Sequence, residues 1–224
     1  MFHDTPKYEA MKTLKKMKTY LPLWLILLLV TQLSAQQVIE GEKMKFLENK
    51  VVVNNTPQEV WKALVAFGNV STFHSTIDES VVLNGSAEEA MLGAEREIQI
   101  PDGIINIINK EKIIKIIDGI YYTYDVYESE NFPIKKMQVT YGVRLDHYGR
   151  TVLFSKTFFK FNNALANGLL KKKLDRANKD SLLAYKNYIE NGEKNTDIKE
   201  LRKKYDEKED STDINYLVSH RIIN

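Results

Sequence analysis

The chain has 224 residues, with 32 Lys and Arg against 30 Asp and Glu, four His and no cysteine. That length accommodates one domain of ordinary size with extensions. The lack of cysteine excludes disulfides, thiol nucleophiles, cysteine metal ligands and a lipid-modified cysteine anchor. Removing the five lysines (Lys7, Lys12, Lys15, Lys16, Lys18) and two acids (Asp4, Glu9) of residues 1–35 from those totals leaves 27 basic and 28 acidic side chains. The remainder is near −1 and lacks the clustered cationic excess that a nucleic-acid partner requires.

Residues 1–35 have the three parts of a secretory signal peptide: the positive Lys12, Lys15, Lys16 and Lys18, an apolar run over 21–30 (LPLWLILLLV), and Leu33-Ser34-Ala35 as a cleavage site. A membrane-spanning helix needs about 20 apolar residues, and this run turns polar at Thr31-Gln32. Cleavage with release to the periplasm or the exterior is therefore expected, with an uncleaved anchor as the alternative and membrane contact only through export. Residues 36–46 read as a polar lead-in.

A domain over 47–191 follows. Val51-Val52-Val53 is a strand that stops at Asn54-Asn55. Thr56 caps a helix with Pro57 in its first turn and Glu59 closing a capping box, and Val60, Leu64 and Phe67 recur at helical spacing. Gly68-Asn69 ends it, and a second short helix is expected over 70–74. Six strands then alternate with turns, over 77–83, 94–100, 104–117, 120–127, 136–145 and 151–159. Asn84-Gly85, Asp102-Gly103 and Asp118-Gly119 are hairpin signals among them, so the sheet should be antiparallel. Residues 164–188 return to helical spacing, with Leu170, Leu174, Ala177, Ala184 and Tyr188 on one face. Beyond Asn191-Gly192, 14 of the 21 residues over 193–213 are charged. Residues 192–224 therefore read as a disordered or frayed tail without a core of its own.

Particular residues resemble a known family. Thr56-Pro57-Gln58-Glu59-Val60-Trp61 resembles the first-helix entry of the SRPBCC superfamily, the START and polyketide-cyclase-like proteins. The segment 67–74 (FGNVSTFH) resembles its D-F-x-x-x-x-x-W-H stretch, with Phe73 where Trp is usual. Gly93-Ala94-Glu95-Arg96, Glu111-Lys112-Ile113-Ile114 and Tyr122-Thr123-Tyr124 resemble its G-x-x-R, E-R-L-L and Y-x-Y strands. The resemblance spans about residues 47–190. It implies an α+β helix-grip fold: a curved antiparallel sheet of about seven strands around a long C-terminal helix, with two short helices after the first strand. It departs at Ser155, where the family often has Trp, and at residues 104–110, which are longer and more apolar than the usual turn.

Strand alternation gives a candidate inner wall. Arg96, Ile98 and Ile100 share one face, as do Tyr122, Tyr124 and Val126, and Met137, Val139, Tyr141, Val143 and Leu145; on the last strand Leu153, Ser155 and Phe159 are favoured. An apolar and aromatic wall with the polar tips of Arg96, Tyr122, Tyr124, Tyr141 and Ser155 is the composition of a small-molecule pocket. The bland alternative is a filled core whose tyrosine hydroxyls find partners. Arg96 must meet an acceptor, either Glu111 or a ligand carboxylate. His74 is expected near the pocket mouth, as a ligand donor or an acid–base group, or merely as a helix-end histidine. The candidate ligand-binding set is thus His74, Arg96, Ile98, Tyr122, Tyr124, Tyr141 and Ser155.

No pair of histidines has metal-ligand spacing, and phosphate-loop, nucleophile-elbow and dinucleotide fingerprints are missing, so neither metal nor cofactor is expected. Three functions remain: an exported binding protein for a lipid-like or polycyclic molecule, a cofactor-free cyclase or aromatase in the same pocket, or an interaction module of the envelope.

Overall fold

The structure is a computed structural model and describes residues 38–39, 41–162 and 167–205. The expected signal peptide lies outside the described residues. The chain forms two compact units, residues 1–43 and 44–224. In the first, β1 (Val38–Ile39) pairs antiparallel with β2 (Glu42–Lys43). Gly41, at φ 80°, supplies the left-handed backbone that a tight hairpin of this kind requires.

The second unit contains β3 (Lys45–Val52), α1 (Pro57–Val65), a 3-10 turn (Val70–Thr72), and the strands β4 (Glu79–Asn84), β5 (Glu95–Asp102), β6 (Ile105–Ile117), β7 (Tyr121–Glu130), β8 (Ile134–Leu145) and β9 (Thr151–Phe161). The long helix α2 (Asn167–Asn191) and a helix over 198–205, α3, complete it. The seven strands form one sheet in the order β3-β9-β8-β7-β6-β5-β4, and every pair is antiparallel. Consecutive hairpins build β4 to β9, and the first strand returns to pair with the last. This is the helix-grip α+β fold, with α2 packed against the sheet.

Local sequence dictates most of the elements. Thr56 Oγ1 accepts from the Glu59 amide at 3.2 Å and caps α1, whose Val60, Trp61 and Leu64 are buried. The core joins these to Phe67, Val70, Phe73, Ile113, Leu153, Phe159, Leu174 and Leu182, between the sheet and the helices. Gly192, at φ 67°, donates to the Tyr188 carbonyl at 2.8 Å and ends α2.

Several expectations are corrected. The stretch read as lead-in holds β1 and β2, and β3, the first strand of the seven-stranded sheet, starts within it at Lys45, with Met44 buried. Pairing with β9 sets that start, because Lys45 lies opposite Phe159. The second short helix is a single 3-10 turn. Leu145 is exposed, since β8 runs past the edge of the core there.

On α2 the buried stripe is Leu174, Asn178, Ser181 and Tyr185, about one residue out of phase with the expected one, so Ala177 faces outward. Ala184 is buried by α3 instead, together with Leu201 and Tyr205. Part of the charged tail is therefore ordered. Arg202 Nε donates to Asp180 at 2.7 Å, Lys204 Nζ donates to Asn187 at 2.8 Å, and the Asn195 amide donates to the Phe73 carbonyl at 3.3 Å. A helix with only two buried apolar side chains can dock when a polar groove such as Asp180–Asn187 meets it.

Candidate functional site

Two polar systems are buried on the inner face of the sheet. The first joins β5 and β6. Arg96 and Glu111 are directly opposite residues, so their side chains share a face. Arg96 Nε donates to Glu111 Oε2 at 2.8 Å, and Nη2 lies 2.7 Å from the same oxygen. Nη1 donates to the Phe67 carbonyl, and the guanidinium sits 3.8 Å from the Phe67 ring centroid. An arginine cannot shed its proton; burial works against its charge, and the Glu111 carboxylate with the surrounding tyrosines more than offsets this. Burial pushes the Glu111 carboxyl up while Arg96 pulls it down; the two bonds to an obligate cation favour the ion pair. Arg96 has thus found its acceptor inside the protein, and a ligand carboxylate is not needed.

The second system is a row across four strands. Asn49 on β3 is opposite Ser155 on β9, Ser155 is opposite Tyr141 on β8, and Tyr141 is opposite Tyr122 on β7. Opposite residues in antiparallel pairs point the same way, and this row points at α2. Asn49 Nδ2 donates to Asp175 at 2.9 Å, and Tyr141 Oη is 2.7 Å from Ser181 Oγ. All four residues are buried. Three side-chain oxygens of the row nevertheless have no hydrogen-bond partner: Asn49 Oδ1, Ser155 Oγ and Tyr122 Oη. The Tyr185 phenol lies close enough to Tyr122 for a side-chain hydrogen-bond interaction that shifts the proton affinity of both, but the pair falls outside ordinary hydrogen-bond geometry.

His74 is linked to this row through Ser181, the partner of Tyr141. Its Nε2 is 2.9 Å from Ser181 Oγ and its Nδ1 is 3.1 Å from Thr76 Oγ1. It is buried, not at a mouth as expected, because the 3-10 turn folds it under Tyr185, whose ring lies 5.2 Å away. Burial, and secondarily the Arg96 charge, lowers its pKa to about 3, with the Ser181 interaction opposing. Burial also raises the proton affinity of Tyr122, Tyr124, Tyr141 and Tyr185. At neutral pH the site therefore presents a neutral imidazole and protonated phenols. These can donate and accept hydrogen bonds, but none is poised to exchange a proton near neutrality.

All seven expected site residues are buried. The structure gathers His74, Tyr141, Tyr122 and Ser155 around Ser181 or along the row, whereas Arg96 belongs to the closed pair. Ile98 and Tyr124 pack in the core between them. Rings fill much of this wall: Tyr122 lies 5.7 Å from Phe67 and 6.3 Å from Tyr141, and Tyr141 lies 5.6 Å from Tyr185. A concavity of about 390 Å³ opens elsewhere, on the outside of the sheet between Lys50, Arg144, His147 and Arg150. Asn49, Ser181 and Tyr185 are members of the site that the sequence reading does not identify. Ser181 could have been found from its place one turn from Leu174–Asn178 on the buried stripe; Asn49 carries no such signal. Among the described residues no cluster of three or more His, Asp or Glu side chains is arranged to ligate a metal.

The family model described as polyketide cyclase/dehydrase and lipid transport matches residues 44–190. No curated protein matches the sequence. Among solved structures, Ara h 8.0201 is similar at 14% identity and TM-score 0.54, over 65% of this chain and 97% of that one. The Zhui aromatase/cyclase from Streptomyces sp. R1128 is similar at 13% identity and TM-score 0.54, over 65% of this chain and 93% of that one. An uncharacterised protein from Bacillus thuringiensis matches at 16% identity and TM-score 0.52, over 65% and 98%. At these identities the likeness concerns the fold.

Proposed function

Because the chain belongs to the polyketide cyclase/dehydrase and lipid transport family, we propose that it is an exported binding protein for a small, mainly apolar molecule that carries a hydroxyl or carbonyl group, held between the sheet and α2. The observation that carries this reading is the row of unpartnered oxygens, Asn49 Oδ1, Ser155 Oγ and Tyr122 Oη, on one face of an otherwise apolar and aromatic wall. A buried polar group left without a partner costs about 1–3 kcal/mol. Three of them aligned on one surface are a recurrent cost that a ligand's polar group offsets. The tyrosines and the apolar side chains around them supply the affinity for the rest of the molecule.

Entry requires movement. The row is buried, so α2 or the rings of Tyr122, Tyr141 and Tyr185 must give way, and bound ligand is correspondingly slow to leave. The cyclase or aromatase alternative asks for a proton-transfer group, and a buried histidine with a pKa of about 3 is a poor base at neutral pH. Binding without chemistry therefore fits the site better. Export rests on the charged and apolar pattern of residues 1–35.

Native mass spectrometry of the protein purified without detergent from its own host tests the reading. A discrete added mass that leaves on denaturation supports it. A clean polypeptide mass, together with no uptake of apolar compounds offered in solution, contradicts it. The same spectrum tests export, because processing after Ala35 places Gln36 at the N-terminus.

A further inference from the structure

One end of the second unit gathers two hairpin turns and the start of α2. The tip between β5 and β6 contains Gly103 and Ile104, with Ile105 opening β6; the turn between β7 and β8 contains Asn131, Phe132 and Pro133; and α2 begins nearby. Asn131 Nδ2 donates to the Asn106 carbonyl at 2.8 Å, and the Asn162 amide donates to the Pro133 carbonyl at 2.9 Å. Lys173 on α2 pairs with Asp102 at the hairpin tip. These bonds place the tip beside the first turns of α2.

The apolar side chains at this end are turned outward. Ile104 is 102% exposed, the most exposed large apolar residue described, and Leu169 is 78% exposed. Ile105 is half exposed as well. Leu169, Lys172, Lys173 and Arg176 follow at three- and four-residue spacing, so they occupy one face of α2. Lys171 is next to them and also exposed. The Asp102 charge is matched by Lys173, and Asp175 is engaged by Lys179 at 2.9 Å and by Asn49. Glu130 is the remaining exposed acid at this end. Lys171, Lys172 and Arg176 thus give a net positive rim beside a bare isoleucine tip.

From this arrangement we infer a docking surface for an anionic lipid bilayer. A β-hairpin that exposes isoleucine to water gains by placing it among acyl chains. Lysines beside an inserted tip attract anionic headgroups, each contributing about a fivefold gain in binding. A protein partner would call for a broader, flatter apolar patch than one tip and one leucine. Among the described residues no helix is long and apolar enough to cross a membrane, and the inferred contact is made by the hairpin tip and the start of α2. The surface stands on its own residues and holds whether or not the interior carries a ligand; it extends membrane contact beyond the export step.

The chain has no cysteine, so one introduced cysteine can be labelled uniquely. Full-length Ile104→Cys and Leu145→Cys, each carrying an environment-sensitive fluorophore, are mixed with phosphatidylcholine vesicles and with phosphatidylcholine–phosphatidylglycerol vesicles. Leu145, the exposed last residue of β8, lies away from this end and reports contact made by any other surface, including one brought about by residues 21–30. The expected result is a blue shift at position 104 with the anionic vesicles only. Position 145 stays unchanged, and adding Lys171→Gln and Lys172→Gln weakens the half-saturation point about fivefold for each cation removed. A shift at 145 but not at 104, no shift at either, or a shift at 104 equal in both lipids would overturn the inference. Loss of the shift with intact uptake of apolar compounds separates this surface from the interior site.

Discussion

Arg96–Glu111 and the row Asn49–Ser155–Tyr141–Tyr122 lie on the same face of the same sheet, and both are buried. They differ in closure. The ion pair is completed by the Phe67 carbonyl and ring, so nothing remains for a ligand to satisfy. The row is completed at Tyr141 by Ser181 and left open at Ser155 and Tyr122. A closed polar system in a core is structure; an open one is a place where something else can bind. Charge alone, which draws attention to Arg96, is a poorer guide to the site than unfinished hydrogen bonding.

The contrast can be broken first at the pair. Glu111→Ala strands a buried guanidinium, and the expected loss is about 3–5 kcal/mol in urea unfolding. A loss below about 1 kcal/mol would mean that Arg96 reaches water or another acceptor and that the pair is not closed.

Acid probes the junction of the two systems at His74. Its folded pKa of about 3 lies below the ordinary 6.5, so the unfolded chain binds the proton more readily. The stability that this provides is complete above pH 6.5 and is lost as pH falls toward 3, at about 1.4 kcal/mol per pH unit. Unfolding measured at pH 7 and pH 5 should differ by about 2 kcal/mol from this source. His74→Gln should flatten that part of the profile. An equal slope in both proteins would place the titration elsewhere.

Ser181→Ala removes the common partner of His74 and Tyr141, with an expected cost of about 1–2 kcal/mol by thermal or urea unfolding. The smallest effects belong to the open positions, and their sign is diagnostic. Ser155→Ala and Tyr122→Phe each delete an oxygen that has no partner, so the ligand-free protein should be unchanged or more stable by up to about 1 kcal/mol. A clear destabilisation would mean that these oxygens are satisfied within the protein and that the row is closed like the pair.

Much of the fold was legible because local signals agree. Thr56-Pro57, the Asp-Gly and Asn-Gly turns and the alternating strands each specify their own element. Alternation also placed Arg96, Ile98, Tyr122, Tyr124, Tyr141 and Ser155 on the buried face. The remainder depends on contacts between distant segments. Lys45 becomes strand because Phe159 pairs with it. Ser181 faces inward because the buried stripe of α2 runs one residue out of phase with the one that its alanines suggest. Leu201 and Tyr205 dock on α2 from within a charged tail, through Asp180 and Asn187. None of these follows from spacing along a single segment. Which hydroxyls lack partners is a further step removed, since it depends on every neighbour at once.

The most direct measurement compares the wild-type protein with the Ser155→Ala, Tyr122→Phe double variant by native mass spectrometry, both purified from the original host without detergent. A carrier whose ligand completes the row should show an added mass on the wild type that is lost or strongly reduced on a double variant of equal or greater stability. The same added mass on both proteins, or none on either, would contradict the account.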